Sequence, residues 1–147
     1  MEELKDKVEI IGVMTKYAAG IDTLNFDLYS SCFVDKVELH GFGGNNDDGS
    51  PRIIKGVDAW VSYVKEAISK YSATQHLLGN PLIEISGKLA KVRTDVQARH
   101  YLKKPEGAMF CLWAVYESDM VKESRKWKII KHKLIDETKH VDLVAEY

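Results

Sequence analysis

The second half of this chain is a run of long β-rich segments, and that run limits the fold more than any other feature. Residues 77–85, 89–103, 108–121 and 127–138 are rich in β-branched and aromatic side chains. The breaks between them are short: Ser86-Gly87-Lys88, Pro105-Glu106-Gly107 and Glu123-Ser124-Arg125-Lys126, each suited to a hairpin turn. Upstream the period changes. Leu4, Val8, Ile11, Met14, Tyr17 and Ile21 recur every three or four positions, which predicts an amphipathic helix over residues 2–21 with these side chains buried. Asp22-Thr23 then offers capping chemistry for a short second helix burying Phe26, Tyr29 and Phe33. A strand is expected over residues 37–42. A third helix over residues 57–71 would carry Trp60, Val61, Val64, Ile68 and Tyr71 on one side. Helices followed by hairpin-linked strands make an α+β fold with an antiparallel sheet. Pro81 inside the first long strand marks an edge, a bulge or a late strand start. The stretch from Gly43 to Pro51 is the most loop-like, either a mobile rim or lid or a plain surface connection.

At 147 residues the chain reads as one domain, and a net charge of -1 gives no electrostatic case for nucleic acid or an anionic membrane. No apolar run is long enough to span a bilayer, and the charged start lacks a signal-peptide core. Cys32 and Cys111 are isolated, as expected of free thiols in a reducing cytoplasm.

Strand alternation sorts the side chains. Ala90, Val92, Thr94, Val96, Ala98 and His100 fall on one face, opposite Lys91, Arg93, Asp95, Gln97, Arg99 and Tyr101. His100 is therefore expected beneath the helices. Ile130, His132 and Leu134 are expected to share a face in the last strand. Residues 108–116 are apolar on both faces, which predicts a second covering layer, such as another copy of the chain in a dimer or trimer.

Asp22, His76 and His100 are the constellation able to do acid–base chemistry at neutral pH. Each also has an ordinary reading: Asp22 as a helix cap, His76 as a polar residue at a strand start, His100 as a hydrogen-bonded core histidine. A carboxylate beside an imidazole orients one tautomer and stabilises the imidazolium, which makes a general base. His40, His76, His100, His132 and His140 lack the close spacing of a compact ligand set, so no metal is expected. No nucleophile motif or phosphate-binding loop is present, and no cofactor is expected. Trp113, Tyr116 and Trp127 fit either a pocket wall or the core.

Taken together, several stretches resemble a known family. Tyr17, Ile21-Asp22-Thr23-Leu24-Asn25-Phe26-Asp27, Cys32-Phe33, Thr74-Gln75-His76 with Gly79, and Gln97-Ala98-Arg99-His100 are similar to the SnoaL-like branch of the nuclear-transport-factor-2-like superfamily. Trp113, Tyr116 and Trp127-Lys128-Ile129 carry the likeness to the end of the sheet. Within that branch the resemblance is to the scytalone dehydratase group. It implies a cone-shaped α+β fold, with three N-terminal helices on a strongly curved mixed or antiparallel sheet and a deep pocket between the layers. The implied chemistry is a cofactor-free lyase or isomerase reaction on a cyclic, largely apolar hydroxy or carbonyl compound. Asp22 would hold His100 as base and then acid, with His76 assisting; the related hexachlorocyclohexane dehydrochlorinase also eliminates with a His–Asp pair. The substrate wall would draw on Tyr17, His40, Trp60, Leu112, Trp113 and His132, with Ile21 and His40 standing at tyrosine positions of the dehydratase and Leu112 near an asparagine. The fold also hosts non-catalytic scaffold subunits, including the small subunits of ring-hydroxylating dioxygenases.

Overall fold

The structure, a computed structural model, describes residues 1–142. Helix α1 runs over Glu2–Asp22, α2 over Phe26–Ser30 and α3 over Val57–Ile68. The strands are β1 (Phe33–Asn45), β2 (Pro51–Lys55), β3 (Tyr71–Ser86), β4 (Leu89–Leu102), β5 (Met109–Glu123) and β6 (Lys126–Asp142). They form one open six-stranded sheet in the order β2-β1-β6-β5-β4-β3. β1 pairs parallel to β6 while the other neighbours are antiparallel, so the α+β architecture carries a mixed sheet. Among the described residues no helix is long and apolar enough to cross a membrane.

α1 departs from its apolar periodicity. Its buried face is Asp6, Ile10, Val13, Met14, Tyr17, Gly20 and Ile21, whereas Leu4, Val8 and Ile11 are 66%, 63% and 44% exposed. The cause is Asp6, whose carboxylate accepts from the Trp127 indole at 2.9 Å and from Lys122. That polar anchor turns the first two turns of the helix away from the face that hydrophobicity alone would choose. The helix stops in a Schellman arrangement: Leu24 is left-handed at φ 57°, its amide donates to Ile21 O, and the Asn25 amide donates to Gly20 O. The cap of α2 is Asn25, which accepts from the Leu28 amide at 3.0 Å. Asp22 is free of capping duty.

Gly20 seats this corner. A Cβ there would lie 2.8 Å from the Tyr29 amide nitrogen, so α1 and α2 meet backbone to backbone.

β3 starts at Tyr71, earlier than expected, and shortens α3 to Ile68. It is an edge strand with a bulge at Pro81. Gly79 pairs with Asp95 and Leu82 with Arg93, so Asn80 and Pro81 together oppose Thr94. A second irregularity lies in β6, where Met120 faces Ile129 but Asp119 faces Lys131. The unpaired Ile130 shifts the alternation, so Ile129 and His132 are both core residues and the expected Ile130–His132 face is not formed.

The 43–51 stretch is the tip of the β1–β2 hairpin: the strands reach Asn45 and resume at Pro51, and the connection between them is closed by the Asn46 amide on Ser50 O at 2.7 Å.

Candidate active site

β3 and β4 place two histidines under the helices. Thr74 pairs with His100 and His76 with Ala98, so Thr74, His76 and His100 all point to the core side. Asp22 projects from the last turn of α1 onto the same strand. An acid at a helix C-terminus faces the negative end of the helix dipole, so it needs donors of its own. It has three. Its Oδ1 takes the His76 Nδ1 proton at 2.7 Å and the Thr74 hydroxyl at 3.0 Å, and its Oδ2 takes the His76 amide at 2.8 Å. Burial alone would raise the Asp22 carboxyl, but the His76 and Thr74 hydrogen bonds hold it below the usual carboxylate value. With Nδ1–H committed to the carboxylate, the lone pair of His76 sits on Nε2.

The expected Asp22–His100 pair is therefore replaced by Asp22–His76. His100 stands beside the dyad, its ring centroid 5.6 Å from that of His76 and nearly perpendicular to it. Burial and then the neighbouring His76 charge push its pKa down to about 4. Its Nδ1 is buried with no hydrogen-bond partner among the described residues. The ring is neutral at physiological pH. It can give or take a hydrogen bond, but it is no reservoir of acid.

Both histidines line a cavity of about 530 Å³, the interior cavity, which lies between α1, α3 and the inner sheet face and is open to solvent at its mouth. The wall is mainly aromatic and aliphatic, and includes Tyr17, Ile21, Trp60, Tyr71, Leu112 and Tyr116. Its polar floor is a phenol cluster: the Trp60 indole donates to the Tyr29 hydroxyl at 3.0 Å, and Tyr17 is hydrogen-bonded with both Tyr29 and Tyr116. Burial pushes the Tyr17 and Tyr116 phenols well up, so they stay protonated.

Tyr17, Trp60 and Leu112 thus reach the cavity, while His40, Trp113 and His132 do not. Leu39 faces His132 across the β1–β6 pair, so His40 points outward, where Glu38 Oε2 holds its Nε2 at 3.1 Å. Gly41 then reverses the alternation. At φ 85°, with a Cβ position only 2.7 Å from Leu134 O, it brings Phe42 inward. Trp113 lies opposite Gln97 on the outer sheet face and is 44% exposed. His132 is wholly buried behind Phe42, Tyr17 and Tyr116, with Nδ1 on the Ser118 hydroxyl at 2.7 Å. Burial drives it down to about 3. It is a core residue. Tyr29 and Tyr71 join the wall without having been expected there. The helical period claims Tyr71, although its place just before a polar Ser-Ala-Thr run signals a strand start. Among the described residues no three His, Cys, Asp or Glu side chains converge as a metal-ligand set, and the His140 side chain lies outside them.

A family profile described as the SnoaL-like domain matches residues 2–133. The chain belongs to the SnoaL-like family. An uncharacterized protein of Mycobacterium tuberculosis is 26% identical over 133 residues, covering 88% of this SnoaL-like chain and 84% of the relative. A putative scytalone dehydratase from Novosphingobium aromaticivorans superposes with a TM-score of 0.82 at 21% identity, covering 97% of this chain and 91% of that one. A type 2 hexachlorocyclohexane dehydrochlorinase gives 0.83 at 17% identity, over 99% and 94% of the two chains. At such identities these structures share the fold, and the chemistry must be argued from the side chains.

Proposed function

We propose that this SnoaL-like domain is a cofactor-independent lyase of the dehydratase type, acting on a cyclic, largely apolar hydroxy-carbonyl compound. The observation that carries the reading is the 2.7 Å Asp22–His76 pair opening on an apolar cavity. The dehydratase and dehydrochlorinase structures of the same fold support it by analogy. His76 Nε2 removes the proton next to the carbonyl, Asp22 stabilises the imidazolium that forms, and the C–H electron pair becomes the new C=C bond. The C–O bond breaks at the neighbouring carbon, and the departing hydroxide leaves as water. His100 is held neutral, so it serves as a hydrogen-bond partner to the carbonyl or leaving oxygen. The proton that His76 takes is the one it returns. This exchanges the roles expected from the chain alone, where His100 is the base. Positioned acid–base groups typically contribute about a hundred- to ten-thousand-fold each.

The test is a panel of cyclic β-hydroxy ketones in D2O, followed by enone absorbance and by NMR. Wild type should form an enone from at least one member, and His76→Gln should be slower by at least about a hundredfold. Deuterium incorporation or double-bond migration without loss of water would identify an isomerase instead. Neither product would return the domain to a ligand-binding or scaffold role.

We also propose that the domain self-associates through the outer sheet face. Leu77, Gln97 and Trp113 form a cross-strand row there, with Leu77 52% and Trp113 44% exposed. Light scattering should give a dimer or trimer at micromolar concentration and a smaller species for Trp113→Glu; a monomeric wild type would sink this proposal.

A further inference from the structure

A second cavity, of about 400 Å³, lies between α1 and the edge strand β3. It meets the dyad from a different side: Asp22 lines this groove and not the interior cavity, while His76 lines both. Its origin is the β3 bulge. Asn80 and Pro81 together oppose the single residue Thr94. Nothing lies within 4 Å of the position a Cβ would take on Gly79. On the helix side the small residues Ala18 and Ala19 leave the gap open. The groove follows α1 from Ile10 to Asp22, roughly 18 Å at the helical rise.

The groove is apolar along Ile10, Met14, Leu78, Ile83 and Val92. Thr94 interrupts that lining. It is 3% exposed, and its hydroxyl has no hydrogen-bond partner among the described residues. A buried hydroxyl left unpaired carries an uncompensated desolvation cost, and this one stands opposite the bulge at Asn80 and Pro81. The shape, the mainly apolar lining and this buried, unpaired polar atom define the occupant: an elongated aliphatic chain carrying a single neutral oxygen. The inner end is closed by Asp22, an ionised carboxylate, which repels a fatty acid anion and tolerates an alcohol.

We propose that the α1–β3 groove is a binding site for a linear aliphatic alcohol, with the ligand oxygen hydrogen-bonded to Thr94. The site is independent of the reaction proposed for the interior cavity and stands or falls separately. It is tested on the full chain by methyl and amide NMR with 1-octanol and sodium octanoate as probes. Octanol should shift Ala18, Ile83 and Thr94 saturably and leave Ala67 and Leu112 of the interior cavity unmoved. Octanoate should need at least tenfold more ligand. Thr94→Val should weaken octanol about fivefold, the worth of one neutral hydrogen bond. Ala18→Phe, which fills the groove from a half-buried helix position, should abolish the shifts. Shifts confined to the interior cavity, equal affinity for octanoate, or unchanged binding by Ala18→Phe would overturn the proposal. So would no response at all, or a response that follows protein dilution instead of octanol, which would mean that a second copy covers the groove.

Discussion

Asp22→Asn is expected to leave the domain folded and to abolish its acid–base capacity by reversing the tautomer of His76. The carboxylate accepts three hydrogen bonds and donates none. An asparagine amide has one oxygen and one NH2 group. Its oxygen best serves the His76 amide at the Oδ2 position, because a backbone N–H can only donate. The NH2 group is then left at the Oδ1 position, facing Nδ1 of the imidazole and the Thr74 hydroxyl, which turns to accept. Nδ1 must then be the acceptor, so the proton moves to Nε2, the atom that the proposed reaction uses as its base. Nitrogen chemical shifts of His76 should report Nδ1–H in wild type and Nε2–H in the variant. Elimination should fall by about a hundred- to ten-thousand-fold. Unchanged nitrogen shifts would show that Asp22 does not set the ring. A variant that unfolds would return Asp22 to a purely structural role.

The second large effect is a loss of stability in mild acid. His100 and His132 are both held neutral in the fold, at about 4 and about 3, against a reference of 6.5. The unfolded chain takes up these protons below pH 6.5 while the folded chain refuses them. Unfolding therefore binds protons, and stability falls progressively as pH drops from 6.5 toward 4 for His100 and toward 3 for His132. Every tenfold difference in proton affinity between the folded and unfolded chain is worth about 1.4 kcal/mol, so the two histidines together remove several kcal/mol across that window. The depressed Asp22 carboxyl adds a further loss below its unfolded value. Guanidinium midpoints measured from pH 7 to pH 4 should fall steadily. In His132→Leu the curve should start lower at pH 7, because Ser118 loses its partner, and then fall less. A flat wild-type profile, or an unaltered slope in the variant, would contradict the burial argument.

Much of this is legible in the chain. The even-numbered face of β4 can be read from alternation, because that strand has no irregularity within its own run. The errors cluster where the backbone breaks its period. Gly41 inverts β1, so His40 and Phe42 point to opposite sides. Ile130 does the same to β6. The partner of Asp22 is misassigned from sequence because a strand beginning only at Leu77 leaves His76 in a loop. Once Thr74-Gln75-His76 are in the strand, Thr74 and His76 alternate onto the His100 face, and the threonine beside the histidine becomes a mark of the carboxylate they share. α1 misleads for a different reason: a buried acid, Asp6, outweighs three aliphatic residues by meeting an indole and an ammonium group.

The seam at Gly20 has a wider meaning. The dyad is set by where α1 ends and where β3 runs, and that end is fixed by main chain resting on main chain at Tyr29. The walls that shape the cavity come mostly from elsewhere: α3 supplies Trp60, β5 supplies Leu112 and Tyr116, and β6 supplies Leu134. The Asp22–His76 pair and most of the cavity wall are thus carried by different elements. Under the proposed reaction, the part of the wall on α3, β5 and β6 can be recut for a different ring without shifting the pair, whereas a single methyl group added at residue 20 would press on Tyr29 and move the pair together with Tyr17, Ile21 and Tyr29, the wall residues of that corner.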